Sequence, residues 1–437
     1  MSDANLNHIY GPARHQVKIF PHDSPPYDCI CCLLVETETK AFPATAFFLN
    51  IPKYGSVLMT AAHVFDRPDI KRVIVLKNAD EPLAIINKSE FSERVHIAKN
   101  YTKDRKDFSF CANDFACIKA PELRNRNGFG WLASERPLTG RSATICGYPE
   151  EQATETIEMW AAGGDLLASD VPNTVAHKID VSTGQSGGPI WILENGYWSV
   201  VGIVSADPDT DDRMSYGALL RYEMLLEIRD WLGISTKSRI IQDDNHSDRI
   251  WYLRLDPINK DQKYLPQGFG KVNICAPGYE GVGDIDFDIF PVSYPPTVAL
   301  NPESGFAQPT DFPFMIRSKK FPGIVLRGDF TNVTHEGGTG TRGQGGTNCQ
   351  SVNGMAASPV LQYCREDFKI ELRTNYDLPH FAFRTTQKSK NGSFGYLRMD
   401  TVGAVWKVMN GFGLIEFSGD ATVFDNINVF RIDPIPY

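Results

Sequence analysis

The run Ser182-Thr183-Gly184-Gln185-Ser186-Gly187-Gly188-Pro189-Ile190 sets a serine among glycines. A serine hydroxyl is a weak nucleophile at neutral pH. It needs a base within hydrogen-bond reach and donors for the oxyanion that develops on the substrate. Glycines on both sides let the backbone turn tightly, expose the hydroxyl and aim successive N–H groups at one point. Ser186 is therefore the expected nucleophile, with the N–H groups of Gly184 and Ser186 as expected oxyanion donors. Two other runs invite chemistry and lose it on inspection. Cys29-Ile30-Cys31-Cys32 lacks a second Cys/His pair at zinc spacing, so buried strand cysteines are expected rather than a metal site. The Gly-rich stretch 337–346 has no Gly-Lys-Ser/Thr ending and reads as a loop, not a phosphate cradle.

The serine run resembles the Gly-x-Ser-Gly-Gly-Pro signature of the chymotrypsin-fold serine peptidases. Val57-Leu58-Met59-Thr60-Ala61-Ala62-His63-Val64 is similar to the Thr-Ala-Ala-His element of that family, where an apolar strand delivers a histidine at its end. Asn113-Asp114-Phe115-Ala116-Cys117-Ile118 resembles its Asp-Ile-Ala-Leu element. The resemblance implies His63 as general base, Asp114 as the acid that orients it and Ser186 as nucleophile, in the family's His, Asp, Ser order. Asp104 and Asp107 lie in charged or mixed sequence and are expected to face solvent.

The likeness runs from Val57 to Ser205 and leans toward the disulfide-free, glutamyl-endopeptidase-like branch, since Val64 stands where trypsin has a cysteine. It implies two β-barrels, a protein or peptide substrate, no cofactor and no metal. It also places the primary specificity pocket at Asp180, Thr183, Val204 and Ser205. An Asp180 floor would select Lys or Arg through a charge-assisted pair. Val204 stands where glutamate-specific relatives carry a histidine, which argues against glutamate preference.

The elements around these motifs read as all-β. Short runs rich in Val, Ile and Phe, such as Cys29–Val35, Thr45–Leu49, Val57–Thr60 and Ser199–Ser205, are separated by Pro, Gly and Asn. Leu225, Ile228 and Leu232 then fall at helical spacing and predict one closing helix ending at Gly233. The expected peptidase domain spans residues 15–235, and the polar stretch 236–248 reads as a linker.

Residues 249–437 carry an internal repeat, opening at Trp251-Tyr252-Leu253-Arg254, Phe314-Met315-Ile316-Arg317 and Phe381-Ala382-Phe383-Arg384. The repeats close alike, at Phe287-Asp288-Ile289, Phe368-Lys369-Ile370 and Phe430-Arg431-Ile432. Three such units resemble a β-trefoil. That implies an accessory domain for a carbohydrate or protein ligand, although the Gln-x-Trp element of sugar-binding trefoils is missing.

A net charge of −9 supplies no phosphate-neutralising surface, so nucleic acid and acidic membrane are not expected partners. Nine cysteines without paired spacings, and no charged and apolar leader in residues 1–10, predict a cytoplasmic protein, with non-classical secretion left open. The competing function is an inert or gated binding protein whose trefoil recognises the ligand.

Overall fold

The computed structural model describes residues 16–234 except 21–22, 78–80, 103–107, 134–137, 151–156, 195 and 207–213. From 237 onward it describes separate strands and the short stretches 284–286, 295–297 and 319–320. Asp104, Asp107 and the Gly-rich stretch 337–346 lie outside the described residues. By internal contacts the chain divides into two units, Met1–Ile234 with Ser293–Ala307, and Ser235–Val292 with Gln308–Tyr437.

The first unit holds two sheets. Its strands in chain order are β1 (Val17–Lys18), β2 (Ile30–Thr37), β3 (Ala41–Ile51), β4 (Gly55–Thr60), β5 (Ile70–Leu76), β6 (Pro82–Asn87), β7 (Val95–Ile97) and β8 (Ala116–Ile118). There follow β9 (Gly130–Leu132), β10 (Ser142–Gly147), β11 (Trp160–Leu167), β12 (Thr174–His177), β13 (Pro189–Glu194), β14 (Tyr197–Ala206) and β15 (Ser215–Leu219). One antiparallel sheet runs β6-β5-β2-β3-β4-β8-β7. In the other, β13-β10-β11-β12-β15-β14 form a ring, because β14 pairs again with β13. Closing the sheet removes its exposed edges.

Period-two alternation explains both cores. Cys31, Leu33 and Val35 of β2 face inward with Ala46 and Phe48 of β3 and Val73 and Val75 of β5. Ile145, Leu166, Val175, Ile190, Ile192 and Val201 fill the second barrel. Each fully buried Val, Leu or Ile contributes roughly 1.5–3 kcal/mol. The predicted helix is present at Tyr222–Trp231, with Gly233 beyond it in the left-handed region at φ 68°. Cys29, Cys31, Cys32, Cys111, Cys117 and Cys146 are buried free thiols.

His177 ends β12 fully buried, and among the described residues neither ring nitrogen has a close hydrogen-bond partner. Burial lowers its pKa to about 4, outweighing the opposing effect of the nearby Ile179 backbone. Between that value and the ordinary one near 6.5, the unfolded chain binds a proton that the folded chain excludes. Stability is therefore lost as pH falls through this window, by about 3 kcal/mol from this group. Urea melts of the parent and His177→Gln at pH 7 and pH 4.5 check this. The variant is expected to show the shallower loss, and equal losses would exclude His177 as the source.

A strand from the far part of the chain completes the first unit. Ser293–Tyr294 pairs antiparallel with β9, with Ser293 opposite Leu132 and Tyr294 opposite Trp131. The Tyr294 ring stacks on Trp131 at 6.0 Å. Asn50 Nδ2 donates to the Pro295 carbonyl at 3.0 Å, and Gly128 N donates to Thr297 Oγ1 at 2.7 Å. A Cβ on Gly130 would come within 2.4 Å of the Tyr294 carbonyl, so the approach requires glycine there.

The described strands of the second unit form one antiparallel sheet. The polar stretch read as a linker contains a strand, β16 (Lys237–Asp244), paired with Arg249–Asp256 and with Arg431–Asp433. Ile240 and Ile241 alone break its polarity, and both are buried. A strand with so few apolar positions looks like a linker in composition. Each predicted repeat opening lies on a strand that pairs with the next one in the chain. These pairs are Arg249–Asp256 with Phe269–Cys275, Pro313–Ser318 with Ile324–Gly328, and His380–Lys388 with Phe394–Asp400.

Candidate active site

Antiparallel pairing brings His63 and Asp114 together. Thr60, the last residue of β4, lies opposite Ala116, the first of β8. Residues just after β4 and just before β8 therefore meet at one end of the sheet. His63 enters a short 3₁₀ turn there, Ala62–Phe65. Its Nδ1 lies 2.6 Å from Asp114 Oδ2, and its backbone N–H donates to Asp114 Oδ1 at 2.9 Å. A carboxylate only accepts, so Nδ1 carries the proton and Nε2 is left as the basic nitrogen.

Asp114 is fully buried, and Ser205 Oγ also donates to its Oδ2. Burial alone would raise the Asp114 carboxyl. The charge and hydrogen bonds of His63, with the Ser205 hydroxyl, outweigh it and hold the pKa below the usual value. The carboxylate is thus ionised at neutral pH.

Ser186 lies in the turn leading into β13 and is partly exposed. Gly184 and Gly187 hold φ of 94° and 84°, a region costly for any residue with a Cβ. A Cβ on Gly187 would fall 2.1 Å from Thr60 Oγ1 and 2.7 Å from Ala61 N. The serine turn therefore lies against the end of the strand that carries His63. Thr45 of β3 secures it: its N–H donates to the Ser186 carbonyl at 3.0 Å and its Oγ1 to the Gly184 carbonyl at 2.8 Å.

The direction of the expected oxyanion donors follows from their carbonyl partners. In a trans peptide C=O and N–H point opposite ways. Glu150 N donates to the Thr183 carbonyl at 2.7 Å, and Gly188 N to the Gln185 carbonyl at 2.9 Å. Those bonds fix the two peptide planes that carry the Gly184 and Ser186 N–H groups. Among the described residues neither N–H donates a hydrogen bond, and Ser186 Oγ makes none to His63 or any other group. Catalytic hydrogen bonds are often long before substrate binds.

The four residues expected at the specificity pocket do not share one environment. Asp180 is partly buried between β12 and the serine turn, and Thr183 is exposed. Val204 packs into the core of the second barrel, which turns it away from solvent. Ser205, one residue on, falls where the pairing of β14 with β15 shifts register, between Val204 opposite Gly217 and Ala206 opposite Tyr216, and its hydroxyl meets Asp114. The bulge there re-aims the side chain relative to its neighbour. Sequence reasoning places Ser205 in the pocket wall and misses its contact with Asp114, as it misses the parts played by Thr45 and Gln185. A threonine inside the apolar run Ala44-Thr45-Ala46-Phe47 was the available signal.

Residues 44–203 match the family of trypsin-like peptidase domains, a span that includes His63, Asp114 and Ser186. The class so defined is that of the serine endopeptidases, hydrolases of peptide bonds. Among solved structures, the chain is similar to a Glu endopeptidase determined with MPD, at 18% identity. That likeness covers 49% of this chain and 95% of the other, with a TM-score of 0.39. A thermostable serine protease, AL20, from an extremophilic microorganism is 16% identical over 47% of this chain and 96% of its own, with a TM-score of 0.37. The protease Anisep from Arthrobacter nicotinovorans is 12% identical over the same shares, also with a TM-score of 0.37. No curated protein matches the chain.

Proposed function

We propose that this serine endopeptidase works through Ser186, His63 and Asp114, with the Gly184 and Ser186 N–H groups receiving the oxyanion. The observation that carries the reading is the His63–Asp114 pair at 2.6 Å, at the strand end against which the serine turn packs. His63 Nε2 takes the proton of Ser186 Oγ as the hydroxyl attacks the scissile carbonyl. The same nitrogen then protonates the leaving amine and, in deacylation, takes a proton from water. Asp114 keeps the ring oriented and balances its transient charge without taking the proton.

The second unit, on this reading, is a β-trefoil-like accessory domain for a protein or carbohydrate ligand. Its support is the threefold sequence repeat and the hairpin pairing of each repeat opening with the following strand. A cytoplasmic location draws its support from the buried free thiols.

A diverse peptide library tests the reading and its specificity together. The purified protein is expected to cut internal bonds without added metal or ligand. With Asp180 as pocket floor, cuts fall after Lys or Arg. Asp180→Ser is then expected to erase that preference while Ser186 still reacts with a fluorophosphonate probe. Cleavage after apolar residues or Glu in the parent would reject the Asp180 pocket. Labelling that appears only when a ligand is added would favour gating.

A further inference from the structure

Gln185 stands between the two expected oxyanion donors, and its side chain is fully buried. Its Oε1 accepts from Ser182 N at 2.8 Å and from Gln16 Nε2 at 3.1 Å, while its Nε2 donates to the Trp160 carbonyl at 3.3 Å. The orientation of both amides follows from chemistry. Ser182 N–H is an obligate donor, so the atom facing it must be the Gln185 oxygen. That oxygen's second neighbour must then also donate, so Gln16 presents its nitrogen. The same nitrogen lies 3.1 Å from Ser182 Oγ. Gln16 immediately precedes β1, which is pinned to β11 by Lys18 opposite Trp160. A residue far away in sequence thus clamps the turn at Ser182 and at Gln185.

We infer that Gln16 is a positioning residue for the oxyanion turn, its amide nitrogen holding Ser182 and Gln185 so that the Gly184 and Ser186 N–H groups stay aimed at one point. The inference rests on the reading of Ser186 as nucleophile. Without that donor, Gln185 Oε1 keeps a single partner and the turn gains freedom to rotate its peptide planes. Donors aimed where charge develops act on the transition state more than on bound substrate, so the loss falls on turnover.

Two variants separate donation from packing. Gln16→Met keeps the bulk and removes the donor, whereas Gln16→Lys keeps a donor on a chain of similar reach. With a peptide substrate cut by the parent, the Met variant is expected to lose about tenfold in kcat at unchanged KM, and its fluorophosphonate labelling rate to fall in step. The Lys variant is expected within about twofold of the parent on both measures. Labelling rates are taken well below each variant's melting midpoint. A Met variant as fast as the parent, a Lys variant as slow as Met, or a change confined to KM would overturn the inference. Mapping the labelled residue in the parent keeps the two failures apart. Label on a residue other than Ser186 defeats the nucleophile reading, while label on Ser186 with an indifferent Met variant defeats only the clamp.

Discussion

Ser186→Ala is expected to abolish peptide cleavage and fluorophosphonate labelling while the protein stays folded. The backbone carbonyl of Ser186 is what ties the turn to Thr45, and alanine keeps it. The side-chain oxygen makes no hydrogen bond among the described residues, so its removal leaves no partner stranded. Loss of a triad nucleophile costs on the order of 10⁶-fold in turnover, and binding and oxyanion donors alone leave roughly 10³–10⁴-fold over water. Library digestion with parent and variant, beside their circular dichroism spectra, measures this. Parental cleavage rates from a clean variant would remove Ser186 from the mechanism.

Asp114→Asn is expected to lower turnover about 10⁴-fold with little change in fold. Three donors converge on this carboxylate: the backbone N–H and Nδ1–H of His63, and the Ser205 hydroxyl. Asparagine offers one oxygen, and its NH₂ must face at least one of those donors. The imidazole relieves that clash by moving its proton to Nε2, where it can no longer accept from Ser186. Ser205→Ala removes a single donor and is expected to cost far less, about tenfold. Steady-state kinetics on a cleaved peptide decide the ranking. If Asp104→Asn or Asp107→Asn shows the large loss instead, the acid has been misassigned.

Much of this site could be read from local sequence because its parts are local. Each of the three motifs carries its own strand or turn signal: apolar Val57–Thr60 before His63, Phe115–Ile118 after Asp114, and glycines around Ser186. What supports those residues was not legible, for a physical reason. Ser205 and Val204 are neighbours on one strand, and a register shift between Val204 and Ala206, which no local pattern announces, decides which meets Asp114 and which enters the core. Gln16 and Gln185 are joined by a contact between chain segments that no local pattern encodes. Composition misled at 237–244, where Ile240 and Ile241 are the only apolar residues in a strand otherwise polar enough to read as a linker.

The strand at Ser293–Tyr294 bears on how the protein is made. Synthesis runs from the N-terminus, and domains generally begin folding as they emerge. Here the first unit has Ser186, His63 and both sheets long before the Ser293–Tyr294 strand exists. The ribosome must first deliver Ser235–Val292, which belongs to the other unit. At ~5–20 residues per second that takes about 3–12 s. Throughout that interval Trp131 lacks the Tyr294 ring it stacks on, and the outer edge of β9 has no partner. A nascent chain in this state presents an apolar, unpaired strand edge. The two units are therefore interleaved in time as well as in sequence, and a gene cut after Ile234 would yield a product fixed at that unfinished stage.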